Sequence, residues 1–412
     1  MSKQKTVLVP QYMHQFSCVG SDCEDSCCVG WRVNIDEATY KKYNRIQDQE
    51  LTPLMDKQVT RNRSNPSQEN YAKIKMNPDG ACVFLTENKL CHIQINLGEE
   101  YLSNTCAIYP RISNEVNGVL ERSATVSCPE IARLALLNPD GIAFDEIEES
   151  GELRRTIQKK IDTHDKKVSH KLQKYFWELR IFTIQVLQNR AYLLAERLII
   201  LGLFFQKVEE HLSNESVGKI PELIAAYTSI IEEGSLKEYL DQIPVQETVQ
   251  MELVKEMADQ RFSQGLNSQR YKECYTDTLV GLKFITGTPF SEVAKAYPEV
   301  YQTYYKPFMA EHEYILENYL VNYVYKNMFP FSGFPKLFDN FVMLVVHYSM
   351  IKLHLIGMSG RHKGLNIDLV IKLIQSFAKT VEHNQLFLKG LFDRLQKNGF
   401  TTMAYMAILI KN

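Results

Sequence analysis

Eight of the chain's nine cysteines fall in its first 128 residues: Cys18, Cys23, Cys27, Cys28, Cys82, Cys91, Cys106 and Cys128. Their spacing is C-x4-C-x3-C-C, then C-x8-C-x14-C after a gap of 53 residues, and Cys128 after a further gap of 21 residues. In an oxidising compartment such a set reads as a disulfide framework, whereas in a reducing cytosol it reads as thiolate ligation of a metal. The opening MSKQKTVLVPQYMHQF offers no apolar run of secretory length, and Pro10 interrupts its only candidate, so the expected compartment is the cytoplasm. Zinc favours closed sites built from C-x2-4-C knuckles, and only Cys23-x3-Cys27 has that form. Iron–sulfur clusters accept more irregular spacing, so a cluster is the leading expectation, with zinc as the alternative and all eight thiols as candidate ligands. Eight thiols exceed one four-ligand site. The remainder would flank it, form a second site or pack as small apolar groups. A purely structural staple for a thin, loop-rich unit is compatible with the same pattern.

Other side chains stand beside this constellation. His14 and His92 could each replace a thiolate, although a lone histidine more often serves a hydrogen bond. Tyr109 and Arg111 directly follow Cys106 and are candidates to lie over the centre and contact a cofactor; Arg111 would otherwise pair with Glu99 or Glu100. Far along the chain, Tyr314, Asn318, Asn322 and Tyr325 or Lys326 share one helical face by i, i+4 spacing. Asn318 and Asn322 are candidates for a ribose, a carboxylate or a lysine amine, against a plain role as buried helix–helix hydrogen bonds. Trp31 reads as core packing.

The elements that must hold these groups divide the chain into a cysteine-rich region, 1–145, and a helical domain, 146–412, since one hydrophobic core rarely serves so long a chain. Residues 31–35 predict a short strand and Asp36 the cap of a helix over the residues that follow. Residues 57–80 read as a loop, 82–92 as a hairpin-like turn that brings Cys82 and Cys91 together, and 129–137 as a helix with Pro129 in its first turn. The acidic run Asp145–Glu152 reads as a linker. Helical spacing of apolar residues then recurs through 167–212, 219–232, 236–262, 270–285, 290–297, 311–328, 336–357, 366–381 and 385–396. The expected fold is mainly α, with a small metal-binding unit of short strands at the N-terminal end.

Lys plus Arg number 14 against 15 Asp plus Glu over residues 1–128, leaving 33 against 34 beyond, so neither part has the basic excess that nucleic-acid binding requires. The apolar stretches Leu193–Phe205 and Phe341–Met358 carry Glu196 and Arg197, and His347, Lys352 and His354, so both read as buried helices and no membrane is expected. Glycine-rich nucleotide loops, H-E-x-x-H and G-x-S-x-G are absent from the sequence.

Three segments, CVGSDCEDSCCVGWRVNIDEATYKKY at 18–43, CVFLTENKLCHIQINLGEEYLSNTCAIYPR at 82–111 and SCPEIARLAL at 127–136, together resemble the flagellin lysine-N-methylase family. More loosely they resemble small cysteine-rich proteins that chelate zinc or iron. YILENYLVNYVYKNMFPF at 314–331 extends the likeness to the methylase family. The resemblance implies transfer of methyl groups from S-adenosylmethionine to lysine ε-amines of flagellin, with a 4Fe-4S cluster in the cysteine region. Cys23, Cys27 and Cys28 depart from the C-x3-C-x2-C signature of radical S-adenosylmethionine enzymes. Radical chemistry is also unnecessary, because a desolvated, neutral lysine amine attacks a sulfonium methyl directly. The cluster would then be structural or hold the amino-acid end of S-adenosylmethionine. The competing readings are a metal-chelating protein and an electron-transfer or redox-sensing protein.

Overall fold

The structure, a computed structural model, describes residues 4–64, 66–150, 156–168, 171–285 and 287–412. Strands come first. β1 (Gln4–Pro10), β2 (Asn34–Ile35), β3 (Val59–Arg61), β4 (Ala72–Ile74), β5 (Arg111–Val116), β6 (Val119–Ala124), β7 (Phe144–Ser150) and β8 (Ile157–Ile161) form two sheets. The larger has the order β7-β1-β6-β5-β8 and the smaller β2-β4-β3. β5 and β6 are antiparallel neighbours joined through Asn117 and Gly118, both at positive φ (51° and 82°), as a two-residue primed turn demands. β1 runs parallel to β6, so the N-terminal strand enters the middle of the sheet.

Helices make up most of the rest, as the apolar periodicity predicts. The cysteine region has its own small core of Val33, Ile35, Tyr43, Leu51, Ile74, Phe84, Ile93 and Leu102, with Cys82 buried in it. A much larger core is supplied mostly by the helical part. At its centre lie a short helix (Tyr314–Lys326) and a long one (Leu337–His362). Every residue from Ile315 to Lys326 is buried. The long helix is apolar enough to cross a membrane by length and composition, yet its most apolar window is wholly covered by the rest of the fold.

Several expectations need correcting. The acidic run from Asp145 is strand β7 as far as Ser150, with the remainder of the run outside the described residues. Its charges have partners: Glu149 pairs with Arg122 of β6, Glu148 accepts from the Thr6 hydroxyl of β1 at 2.8 Å, and Asp145 meets His14, in the turn after β1, at 3.0 Å. β7 and β8 thus join the sheet of β1, β5 and β6 from residue 144 onward. The 57–80 loop contains β3 and β4, strands too short to show alternation, whose place is set by pairing with β2 through β4. The expected strand at 31–35 contracts to Asn34–Ile35, and Asp36 caps the next helix by accepting from the Thr39 amide at 2.9 Å. The long helical stretches are broken: 167–212 between Leu187 and Leu194, and 236–262 between Asp241 and Glu247.

Backbone proximity limits the long helix. A Cβ added to Gly281 would lie 1.8 Å from the Gly357 carbonyl oxygen, and one on Gly357 would lie 2.6 Å from the Thr278 oxygen, so the helix Gln269–Gly281 crosses it backbone to backbone. Gly357→Ala must push the two helices apart; overpacking of this kind costs about 1–3 kcal/mol. Thermal unfolding of that variant should show a lowered midpoint, whereas Gly390→Ala, where a Cβ meets nothing within 4 Å, should unfold close to the parent.

Candidate functional site

A cavity of about 990 Å³ opens between the β5–β6 region and the helices that follow it, and lies at the upper end of the range typical of small-molecule pockets. Its walls include Thr125, Lys159, Tyr323, Lys326, Phe334, Lys336, Asp339, Met343, His347, Glu382, His383, Lys389, Phe392 and Asp393. On its floor the Lys326 ammonium meets the Glu382 carboxylate at 2.7 Å, both residues 7% exposed. Tyr319 donates to the other Glu382 oxygen at 2.6 Å. Burial by itself would raise the Glu382 pKa, but Lys326, His347 and these hydrogen bonds outweigh it and hold the carboxyl at about 2.

Local structure explains this placement. The helix Ile367–Phe377 widens into a π-turn over Ala378–Glu382, a geometry often found at functional positions. Glu382 ends that turn, and His383 follows it. Lys159 reaches the cavity from β8 with its ammonium on the carbonyls of Asn327 and Ser332, and burial lowers its pKa.

The same segment grips the cysteine region. Lys379 donates to Asp25 Oδ1 and Oδ2 at 2.9 and 2.8 Å and to the Ser26 carbonyl at 2.9 Å. Gln375 Nε2 donates to Asp25 at 2.7 Å and to the Ser127 carbonyl at 2.8 Å. His383 Nε2 lies 3.0 Å from the Ser127 hydroxyl, and the edge of its ring meets Trp31 at 6.2 Å. The loop Cys23–Cys28 and Cys128 are therefore tied to the element that lines the cavity.

The eight clustered thiols all stand as free cysteines. Cys82 is buried, and Cys28, Cys91 and Cys106 pack against the same small core. Burial pushes the Cys82 thiol up to about 11 and that of Cys106 up to about 12, and Cys106 also senses the charges of Cys91, Cys82 and Cys27. Cys128 senses Cys23 and Cys18 instead. Among the described residues no three His, Cys, Asp or Glu side chains converge as they would on a single metal ion.

The other expected site residues fall in different places. Tyr109 packs against Trp31 at 5.2 Å and shares a hydrogen bond with Ser127 Oγ at 3.1 Å, beside Cys128 and Cys27 and outside the cavity lining. Trp31 itself is only partly buried and donates its indole N–H to the Cys27 carbonyl, which makes it a bridge between the cysteine loop and His383 rather than deep core. Arg111 turns away over the Phe16 ring, 5.0 Å to the centroid, and lines a separate cavity of about 670 Å³ with His14, Glu99 and Glu100. His14 is engaged by Asp145, and His92 lies 3.6 Å from Glu50. Asn318 and Asn322 are 0% and 2% exposed, and both hold the buried helix in place. Asn318 Nδ2 donates to the carbonyls of Leu136 and Asn138, while Asn322 donates to the Ala124 carbonyl and accepts from the Tyr12 hydroxyl at 2.7 Å. Lys326 shares their helical face, but His347 and the adjacent Glu382 and His383 carry no common spacing signal because they reach the cavity from the long helix and from the π-turn.

Replacing Glu382 by Gln leaves Lys326 as an unpaired buried cation, a change worth roughly 3–5 kcal/mol at neutral pH. Because the folded Glu382 pKa is depressed, its contribution is present above the unfolded carboxyl value of about 4.3 and is lost as pH falls towards 2. Denaturant unfolding of parent and Glu382→Gln should differ at pH 7 and converge as the pH is lowered through that window.

A model of the FliB lysine N-methylase C-terminal domain matches residues 180–409, more than half of the chain. A lysine-N-methylase of Salmonella choleraesuis (strain SC-B67) is 25% identical over 404 residues, 96% of this chain and 96% of that protein. One from Salmonella typhimurium (strain LT2) is 24% identical over the same span. A flagellar biosynthetic protein, FliU, of Salmonella muenchen is 34% identical over 145 residues, which is 35% of this chain and 85% of that protein. No solved structure matches. On the family match, and on likeness to whole relatives from end to end, the chain belongs to the FliB lysine N-methylase family.

Proposed function

We propose that the chain transfers methyl groups from S-adenosylmethionine to lysine ε-amines of flagellin in the cytoplasm, and that the cavity over Lys326 and Glu382 is where the transfer takes place. The observation that carries this reading is the match to lysine-N-methylases along 96% of the chain. The flagellar name borne by FliU supports a flagellar substrate.

The cavity's walls suit both reactants. Phe334 and Phe392, with ring centroids 4.4 Å apart, offer aromatic surface to a purine. Lys336 and Lys389 offer ammonium groups to a carboxylate, and Asp339 and Asp393 offer acceptors to an amine or to ribose hydroxyls. The methyl donor supplies an electrophilic carbon on sulfonium sulfur. The protein's part is to desolvate the lysine amine, keep it neutral and align it with that carbon.

A 4Fe-4S cluster fits the donors of the cysteine region. Cys82, Cys91 and Cys106 sit against one apolar core, Cys27 is electrostatically coupled to Cys106, and a cluster of four irons spreads its ligands more widely than a single ion does. Such a cluster would brace the loop that Lys379 and Gln375 grip. Anaerobically purified protein should contain about four irons and four sulfides with a broad visible absorbance. Cys106→Ser should lose most of that iron, and zinc alone in the parent would replace the cluster with a structural zinc site.

Incubation of purified protein with flagellin and S-adenosylmethionine, read by mass spectrometry of flagellin peptides, tests the activity. Methyl additions confined to lysines, together with S-adenosylmethionine binding in a calorimeter, are expected. Reversible metal uptake with no binding of that donor would instead support a metal-chelating protein.

A further inference from the structure

The long helix carries two histidines in the same local arrangement, seven residues apart. His354 Nδ1 lies 2.6 Å from the Met350 carbonyl and His347 Nδ1 lies 2.6 Å from the Met343 carbonyl. A carbonyl only accepts, so in each ring the hydrogen sits on Nδ1 and Nε2 is left as a bare acceptor. His354 Nε2 has its donor, the Tyr271 hydroxyl at 3.1 Å. His347 Nε2 is buried with no hydrogen-bond partner. A buried acceptor without a donor is costly, and only one of these two otherwise matching residues bears that cost. His347 is also the one that lines the 990 Å³ cavity.

The surroundings narrow the missing donor. The Tyr323 ring stands 5.1 Å from the imidazole, and Phe377 meets it edge-on at 6.1 Å. The charged and titratable groups around it are Lys326, Tyr319 and Tyr323 from the central helix and Glu382 from the π-turn, with His383 next along the cavity wall. Lys326 and Tyr319 already engage Glu382. None of these hydrogen-bonds to His347 Nε2, so the ring presents an acceptor to the cavity, where a ligand N–H or O–H carried on a stem past Met343, Leu388 and Phe392 would meet it.

We propose that His347 is a catalytic residue: its Nε2 receives the side-chain amine of the substrate lysine and takes a proton from the ammonium form before methyl transfer. This rests on the lysine-methylating reading of the cavity. The ammonium N–H bond breaks with its electron pair left on nitrogen, and the proton moves to Nε2. The amine lone pair then forms the N–C bond to the methyl of the sulfonium donor as the C–S bond breaks, and that bonding pair stays on sulfur as a thioether. Glu382 lies close enough to stabilise the imidazolium that forms, which returns its proton to cavity water. Burial lowers the His347 pKa below the usual histidine value, so the ring is neutral and ready to accept at neutral pH.

The test uses the full chain. With flagellin as substrate, His347→Gln should bind S-adenosylmethionine as the parent does but methylate about 100-fold more slowly at pH 7. Its rate should climb about tenfold per pH unit towards the lysine's own pKa, where the parent is already level. A variant within roughly threefold of the parent, with an unchanged pH profile, overturns the assignment. Independently of turnover, n-butylamine added to parent protein labelled with ¹⁵N-histidine should move the His347 Nε2 resonance and leave that of His354 in place. An unmoved His347 resonance at saturating amine overturns the proposal even if His347→Gln fails to fold. Absence of methyl transfer by the parent, with the amine shift present, would sink the methylase reading while leaving an amine site at His347.

Discussion

A helix buried on every side has no water to satisfy its polar side chains, so each must find a partner in the surrounding protein. Tyr314–Lys326 is such a helix, and its polar residues reach in different directions. Glu317 takes Arg197 at 2.6 Å and Arg190 at 2.9 Å, Asn318 holds the carbonyls that end the helix Pro129–Leu136, Asn322 joins Tyr12 and the end of β6, and Lys326 pairs with Glu382. The sheet, the N-terminal strand and the C-terminal helices are thereby referred to one axis. The Lys326–Glu382 pair at the end of that helix lines the cavity, together with Met343 and His347 of the long helix.

A second buried pair anchors the sheet to the helices. Arg180 forks onto Glu121 of β6 at 2.7 and 2.5 Å, and the two residues are among the least exposed in the protein. The cysteine region is attached by smaller means: the Lys379–Asp25 pair, the Gln375 amide and the contacts of Trp31 with Tyr109 and His383. These attachments act on the loop between Cys23 and Cys28 and on the residue before Cys128. Whatever fixes those thiols also fixes the π-turn that carries Glu382. On the proposed function, a cluster held by those thiols would order the segment that shapes the cavity without sharing atoms with it.

Elements with a local physical cause could be read directly from the residues. The cap at Asp36, the first-turn Pro129, most of the helices from 219 onward and the buried character of Phe341–Met358 follow from short-range periodicity and capping, and the structure has them, with 236–262 broken in two. The methylase-like segments pointed to the family to which the chain belongs. The polar face of the central helix was visible too, and its bland reading as internal hydrogen bonding describes Asn318 and Asn322.

Tertiary pairing settled what spacing could not. The acidic strand β7 looks like a linker until β1 and Arg122 supply its partners, and β3 and β4 are too short to announce themselves. Arg111 follows Cys106 closely in sequence yet lines a different cavity, because the strand that begins with it carries its side chain over Phe16. Lys326, His347 and Glu382 lie on three elements up to 56 residues apart, and nothing in a linear pattern marks them as neighbours. Local sequence sets backbone preference and which face of an element is apolar, over a few residues. Which ionisable groups share a desolvated space is decided by the packing of whole elements, and the same packing leaves His347 without a donor while giving His354 one.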